Sequence, residues 1–522
     1  MKKLFCLLLA LVMVLSMAAC GAGAPAADEK APAADAPAAE GDAPAASVHR
    51  DTLTVAISKE HKSLLPYGSN DTGTCPITHQ IYESLIKTDA DMNLVPGLAT
   101  AWEQIDETHF RFTLREGVKF HNGNPFTAED VLYTYTQNTA TAATASTIGP
   151  IDIANCVIEN DYSIIIALSK PYPAFLNCCS LDIAAIVDKE TMEADPEGYA
   201  ANPVGTGPFK FVSWTSGDNI QMEANDEWWG GEINFDKLIL RVIPEASTRA
   251  IEAEAGGVDI ASIAVSDAAN TESSPAVKLQ VHPILNTSFV SFNCDIEPFN
   301  NVKVRQAIAL AIDSEAIVKA TTRGYAELAT SFLAPGIWGY HDADSEFEGY
   351  DVERAKQLLA EAGYPDGFSC TMISNANQST AEMIQAYLKE IGINVELNVA
   401  DFATWLDSIT NGKQQMYIGG WTVPSADASE AFQAFYSEYK GPTNRSFYGN
   451  PEADALIEII DSEADTEKRM EACVQLQELL ADECVTIPLN IGTHYYSVNK
   501  SISGFYALPT QSWEFSGITF AD

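Results

Sequence analysis

Residues 351–399 read DVERAKQLLAEAGYPDGFSCTMISNANQSTAEMIQAYLKEIGINVELNV, and this stretch decides the fold class. Asp351 stands where a helix N-cap belongs, since a carboxylate there accepts from otherwise unpaired backbone N–H groups. Ala355, Leu358, Leu359 and Ala362 follow at helical spacing, and Gly363 with Pro365 just beyond ends the run. Phe368 to Ser374 reads as a strand. Ser379 with Glu382 three residues on has the form of a capping box, opening a helix with Ile384, Leu388 and Ile391 on one face and Gly392 at its end. Ile393, Val395, Leu397 and Val399 alternate as the next strand. Strand, helix and strand with short connections imply a right-handed parallel crossover. The fold class is α/β.

The same patterns extend towards the N-terminus. Leu53, Val55 and Ile57 alternate, as do Phe110, Phe112 and Leu114, and Thr127 to Asp130 has the form of a capped helix start. At the N-terminus itself, Lys2 and Lys3 precede an apolar run from Leu4 to Val14, and Ala18-Ala19-Cys20 closes the segment. The run is shorter than the roughly 20 residues a membrane span needs, so residues 1–19 read as a cleaved signal peptide. Residues 21–47 contain no large apolar side chain, and such a segment cannot bury enough surface to offset its ordering entropy. Residues 20–47 therefore read as a tether. The remaining body is long enough for about three domains or subdomains.

The formal net charge is −42, and the leader carries two lysines and no acid, so the body is more acidic still. Nucleic acid is excluded as a partner, because phosphate contacts need clustered Lys and Arg. The acid excess reads either as a solvated surface or as an acidic pocket for a cationic ligand. Eight cysteines lie beyond Cys20: Cys75, Cys156, Cys178, Cys179, Cys294, Cys370, Cys473 and Cys484. Their number permits disulfides without fixing a connectivity. A core of this size needs no staples, so several are expected to be buried thiols.

A series of motifs then gives a specific likeness. Tyr82-Glu83-Ser84-Leu85 is followed by Leu94 to Ala99, by Trp102, and by Phe110 to Gly123, which leads into Pro125-Phe126-Thr127-Ala128-Glu129-Asp130-Val131. Pro203 to Phe209, Val304 to Ala307, Ala311-Ile312-Asp313, Leu358 to Pro365 and Gly420-Trp421 complete the order. Residues 51 to 522 thereby resemble the family-5 extracellular solute-binding proteins, the oligopeptide, dipeptide and nickel binders of ABC importers. Ala18-Ala19-Cys20 likewise resembles a bacterial lipobox, which implies lipidation at Cys20 and an exported protein anchored by lipid to the cell envelope.

The resemblance implies a bilobed periplasmic-binding-protein clamshell with an extra subdomain inserted in lobe I. Lobe I would take 51–80, 203–288 and the return 491–522, the extra subdomain 81–202, and lobe II 289–490. It implies a monomer that closes on a peptide or peptide-like small solute and presents it to ABC permease subunits. No cofactor and no metal are expected. A non-peptide solute, such as a nickel chelate or a sugar, is the alternative. Most signature residues read as structural: Gly117 and Gly123 as turns, Arg115 as the partner of an acid, Gly205-Thr206-Gly207 as a turn between strands.

The ligand candidates lie elsewhere. Peptide binders of this type carry an acid for the ligand's amino terminus after the Gly-Trp motif. Here Pro424 stands at that position and Asp427 is the nearest carboxylate. The stretch 371–380 lacks the arginine that dipeptide binders use for the ligand carboxylate, which favours a longer peptide held by its backbone or a non-peptide solute. Asn70, Asp71 and Thr72 belong to a loop that faces the cleft in relatives. Trp421 stacks on ligand or sits in the core, and Asn375 and Asn377 bond ligand or form a turn. A secreted hydrolase is the rival class, but no His-Glu-x-x-His pair, Gly-x-Ser-x-Gly elbow or Walker loop occurs.

Overall fold

Two long strands, Val277–Phe292 and Thr486–Asn499, pair antiparallel and form the spine of a ten-stranded sheet. The computed structural model describes residues 48–521 apart from 61–62, 69–74, 142–143, 146 and 376. Every described element belongs to the second of two units, Ala46–Asp522. The signal peptide, Cys20 and the tether lie outside the described residues, as do Asn70, Asp71 and Thr72.

The sheet runs, edge to edge, through Asn394–Val399, Ser369–Ser374, Met416–Thr422, Val277–Phe292, Thr486–Asn499, Ile260–Ile263, Arg50–Ile57, Phe235–Val242, Asn219–Ala224 and Phe209–Thr215. The predicted crossover is present: Ser369–Ser374 and Asn394–Val399 pair in parallel from Ser369↔Asn394 to Ser374↔Val399. The helix Val352–Glu361 before it is capped by Asp351, whose side chain accepts from the Arg354 N–H. The helix between the two strands starts earlier than predicted. It spans Gln378–Glu390 with Asn377 at the cap position, and Ser379 lies inside the first turn. Asn377 holds that position without a side-chain cap hydrogen bond, so the predicted cap at Ser379 is corrected.

The spine strands carry two register breaks, between Pro283 and Thr287 and between Thr287 and Phe289. Below the breaks Thr486–Asn499 also pairs with Ile260–Ile263; above them Val277–Phe292 pairs with Met416–Thr422. A separate core packs at each end. Leu53, Val55, Phe209, Phe235 and Tyr496 belong to one, and Val290, Phe292, Ile384, Leu388 and Ile418 to the other. A further core beside the second contains Leu333, Phe432, Ile457 and Leu476. This is the two-lobed α/β arrangement, joined through two strands.

The added subdomain is a four-stranded antiparallel sheet in the order Ala99–Asp106, His109–Leu114, Ser163–Ala167, Val157–Asn160. Phe112 faces Ile164 and Phe110 faces Ile166 across the ladder, and all four are buried. Each such side chain contributes about 1.5–3 kcal/mol. The helix Ala128–Ala140 covers this face with Val131 and Tyr135. Its start is capped as predicted, Asp130 accepting from the Thr127 N–H and Oγ1–H.

Two small readings change, and the expected buried thiols are present. Arg115 pairs with no acid among the described residues; it donates to the Gly97 carbonyl and lies 3.9 Å from the Trp229 ring centroid. Gly205 serves close approach, since a Cβ there would stand 1.9 Å from the Ile81 carbonyl oxygen. Cys156, Cys178, Cys179, Cys294, Cys370, Cys473 and Cys484 are free thiols, five of them buried.

Candidate functional site

One cavity of about 230 Å³ takes its walls from both lobes. One wall comes from the helix Cys75–Ile81 and the chain just after it, from residues 180–183 and from residues 508–514. The other comes from Thr422, Pro424 and Glu430, at and beyond the end of the strand Met416–Thr422. A second cavity, about 350 Å³, is lined only by residues between 309 and 350 and between 477 and 488. Lobe movement reshapes a space whose walls belong to different lobes, so the smaller cavity is the candidate cleft.

Its first wall is an ion network. The two ring nitrogens of His79 meet Asp182 Oδ1 at 2.6 Å and Glu514 Oε1 at 2.7 Å. Both must donate, so the ring is an imidazolium. Burial disfavours that charge, but the fields of Asp182 and Glu514 and their hydrogen bonds outweigh it, and the His79 pKa rises to about 10. Lys87 donates to Glu83 at 2.7 Å and lies 5.3 Å from the Trp229 ring centroid. Glu83 also accepts from Thr206 Oγ1, Trp228 Nε1 and Trp229 Nε1. Ser512 donates to Asp182. The cations of this wall are thus engaged by carboxylates.

The second wall differs. Glu430 accepts from the Ser425 N–H at 3.1 Å and Oγ–H at 2.5 Å, and among the described residues no cation pairs with it. Burial raises its pKa despite those two bonds, and Asp427 adds to the rise. Glu83, Asp182, Glu430 and Glu514 face His79 and Lys87 around the cavity, so with Glu430 ionised two negative charges remain uncompensated. No arginine among the described residues lines the space. Such a cavity attracts a cationic group and, among the described residues, offers no unengaged cation to an anionic one.

The predicted residues fall in several places. Pro424 lines the cavity. Asp427 does not: it is buried and ion-paired through both oxygens with Arg469, and it caps the helix Ala428–Phe432 by accepting from the Ser429 N–H. Asn375 lies half-buried in the bend after Ser369–Ser374, and neither it nor Asn377 lines the cavity. Trp421 is half-buried against the core beside Phe332, with their ring centroids 6.2 Å apart. Sequence reading missed His79, Lys87, Asp182, Glu430 and Glu514. Glu83 lay within a quoted motif but was read as structural. Asp427-x-x-Glu430 has the spacing of a capping box, which conceals the role of its second acid.

The chain matches the family model described as "Bacterial extracellular solute-binding proteins, family 5 Middle" over residues 93–443. It is 29% identical over 477 residues to heme-binding protein A of Haemophilus influenzae, covering 85% of this chain and 87% of that one. It is 28% identical over 519 residues to the dipeptide-binding protein of Escherichia coli K12, covering 90% and 96%. Among solved structures, the periplasmic binding protein DppA from Helicobacter pylori in complex with the peptide STSA superposes with a TM-score of 0.75 at 26% identity. That match covers 91% of this chain and 98% of the other.

Proposed function

The chain belongs to family 5 of the bacterial extracellular solute-binding proteins, and from that premise we propose that it captures a short, amine-bearing peptide-like solute for an ABC importer. One observation carries the reading: Glu430 brings a half-buried carboxylate, with no cation partner among the described residues, to a cleft bounded by both lobes. It stands six residues beyond Pro424 and supplies the acid which that position lacks. The ligand ammonium restores to Glu430 the counter-charge that burial denies it.

The volume narrows the class. About 230 Å³ lies below the ~300–1,000 Å³ of most ligand pockets, which favours a di- or tripeptide over a long peptide or a haem. With no arginine in the cavity, a free ligand carboxylate is not required there. A non-peptide amine of similar size is the second reading, supported by the same absence.

The rest of the assignment follows the family. Residues 1–19 direct export, and Cys20 carries the lipid that holds the protein at the outer face of the cell membrane or facing the periplasm. Residues 20–47 are the tether. Lobe I comprises 51–80, 203–288 and 491–522, the extra subdomain 81–202 and lobe II 289–490, with the register breaks of the two spine strands as hinge. The closed form docks on the permease as a monomer, and no chemistry is done on the solute. Asn70, Asp71 and Thr72 are contacts for parts of the solute beyond the amine, and Trp421 flanks the cleft.

Calorimetric titration with di- and tripeptides and their N-acetylated forms tests the reading. Free-amine peptides should bind without turnover, and both acetylation and Glu430→Gln should weaken binding at least about ten-fold, the effect of losing a charged hydrogen bond. Equal affinity for acetylated peptides overturns the role of Glu430. Failure of every peptide and small amine to bind overturns the ligand class.

A further inference from the structure

A third, much smaller space lies on the lobe II side of the sheet. It measures about 10 Å³, the room one water-sized body needs. Its polar lining is made of Ser291, Tyr417, Trp421, Thr443, Arg445, Ser446 and Thr486, all able to donate a hydrogen bond, and no carboxylate among the described residues reaches it. Trp421 and Tyr417 come to this face because they alternate with Thr422 and Ile418 along one strand, opposite Thr287 and Ser291 of the neighbouring strand.

Two of these donors lack acceptors. The Trp421 indole N–H is buried and bonds nothing among the described residues. Arg445 spends its Nε–H on the Pro442 carbonyl at 3.3 Å, and no described acid pairs with its guanidinium. Its central carbon lies 5.3 Å from the Trp421 ring centroid. Several arginines of this acidic chain have carboxylates, as Arg50 has Asp259, Arg305 has Glu483 and Arg469 has Asp427, and buried Arg249 instead spends its donors on three carbonyls, whereas Arg445 has one carbonyl contact among the described residues. Burial depresses the Arg445 pKa, yet a guanidinium does not lose its proton in a protein. A desolvated cation beside an orphaned N–H calls for a negative partner.

We infer that Arg445 and the Trp421 indole N–H hold one small monoanion, either a halide ion or a single carboxylate group of a bound solute. Size restricts the occupant to one atom-sized body or the tip of one group. The charge restricts it to an anion; the Ser291 and Ser446 hydroxyls already donate to the Val485 carbonyl and to Asn444 Oδ1, so Arg445 and Trp421 are its principal donors. This is the reverse of the cleft, where the unpaired group is an acid. The carboxylate source rests on the transport reading above; the halide source does not.

Bromide crystallography and chloride NMR on the mature protein test the inference. In bromide, an anomalous peak is expected within hydrogen-bonding reach of the Arg445 guanidinium and Trp421 Nε1. In solution, protein-dependent broadening of the chloride resonance should vanish in Arg445→Gln. It should weaken about ten-fold in apparent affinity in Trp421→Phe, which deletes only the N–H. Arg445→Lys keeps the charge and checks that loss does not reflect misfolding. Displacement of chloride by a peptide with a free C-terminus, but not by its amide, assigns the site to solute carboxylate. Retention of chloride with such peptides bound assigns it to a resident halide. No peak and no broadening in the native protein, or signals unchanged in Arg445→Gln, overturn the inference without touching the amine site at Glu430.

Discussion

His79 keeps its charge in surroundings where a lone imidazole would lose it. Its folded pKa of about 10 exceeds the ordinary 6.5, so the imidazolium contributes stability that is fully present below about pH 6.5 and is lost as pH rises through about 10. Thermal melts should therefore show the native protein losing more stability between pH 7 and about 10 than His79→Gln does; parallel pH profiles count against the network. Asp427 and Glu430 are three residues apart and behave oppositely. Asp427→Ala leaves Arg469 buried without its counter-ion and should cost about 3–5 kcal/mol in urea unfolding. Glu430→Gln removes a carboxylate that burial already disfavours, so the unliganded protein should be as stable or slightly more so, while solute affinity falls. Sequence reading chose Asp427 because it was the nearest acid to Pro424. Nothing local reveals that Arg469, 42 residues on, takes both its oxygens.

Among elements, the parallel crossover was the most legible, since period and caps lie within 49 consecutive residues. The spine strands were not. Val277–Phe292 contains Pro283 and two register breaks, so no alternation runs its whole length. Gly492 sits opposite these breaks, where a Cβ would stand 2.9 Å from Asn286 Cβ and from Ile284 Cγ1. Gly492→Ala should therefore crowd the hinge and destabilise by about 1–3 kcal/mol, with a smaller solute-induced change in scattering. A variant with native stability and native closure shows that the hinge lies elsewhere.

For the whole molecule, a cleft walled by two lobes that are joined through two strands should close by population shift when solute binds. Small-angle scattering should show a smaller radius of gyration with a bound tripeptide, and Glu430→Gln should require more peptide for the same change; one unaltered profile at saturation counts against closure. Sequence by itself determined the α/β class, the crossover, the helix caps at Asp351 and Thr127 and the likeness to solute-binding receptors. These rest on periodicity and on ordered local motifs, which survive without knowledge of distant contacts. Only the tertiary structure decided which charges are engaged. His79 meets Glu514 across 435 positions, and Arg469 meets Asp427, whereas Glu430 and Arg445 meet no counter-ion among the described residues. Electrostatic energy depends on distance and burial rather than on order along the chain, so a binding residue and a structural one look alike until the chain has folded.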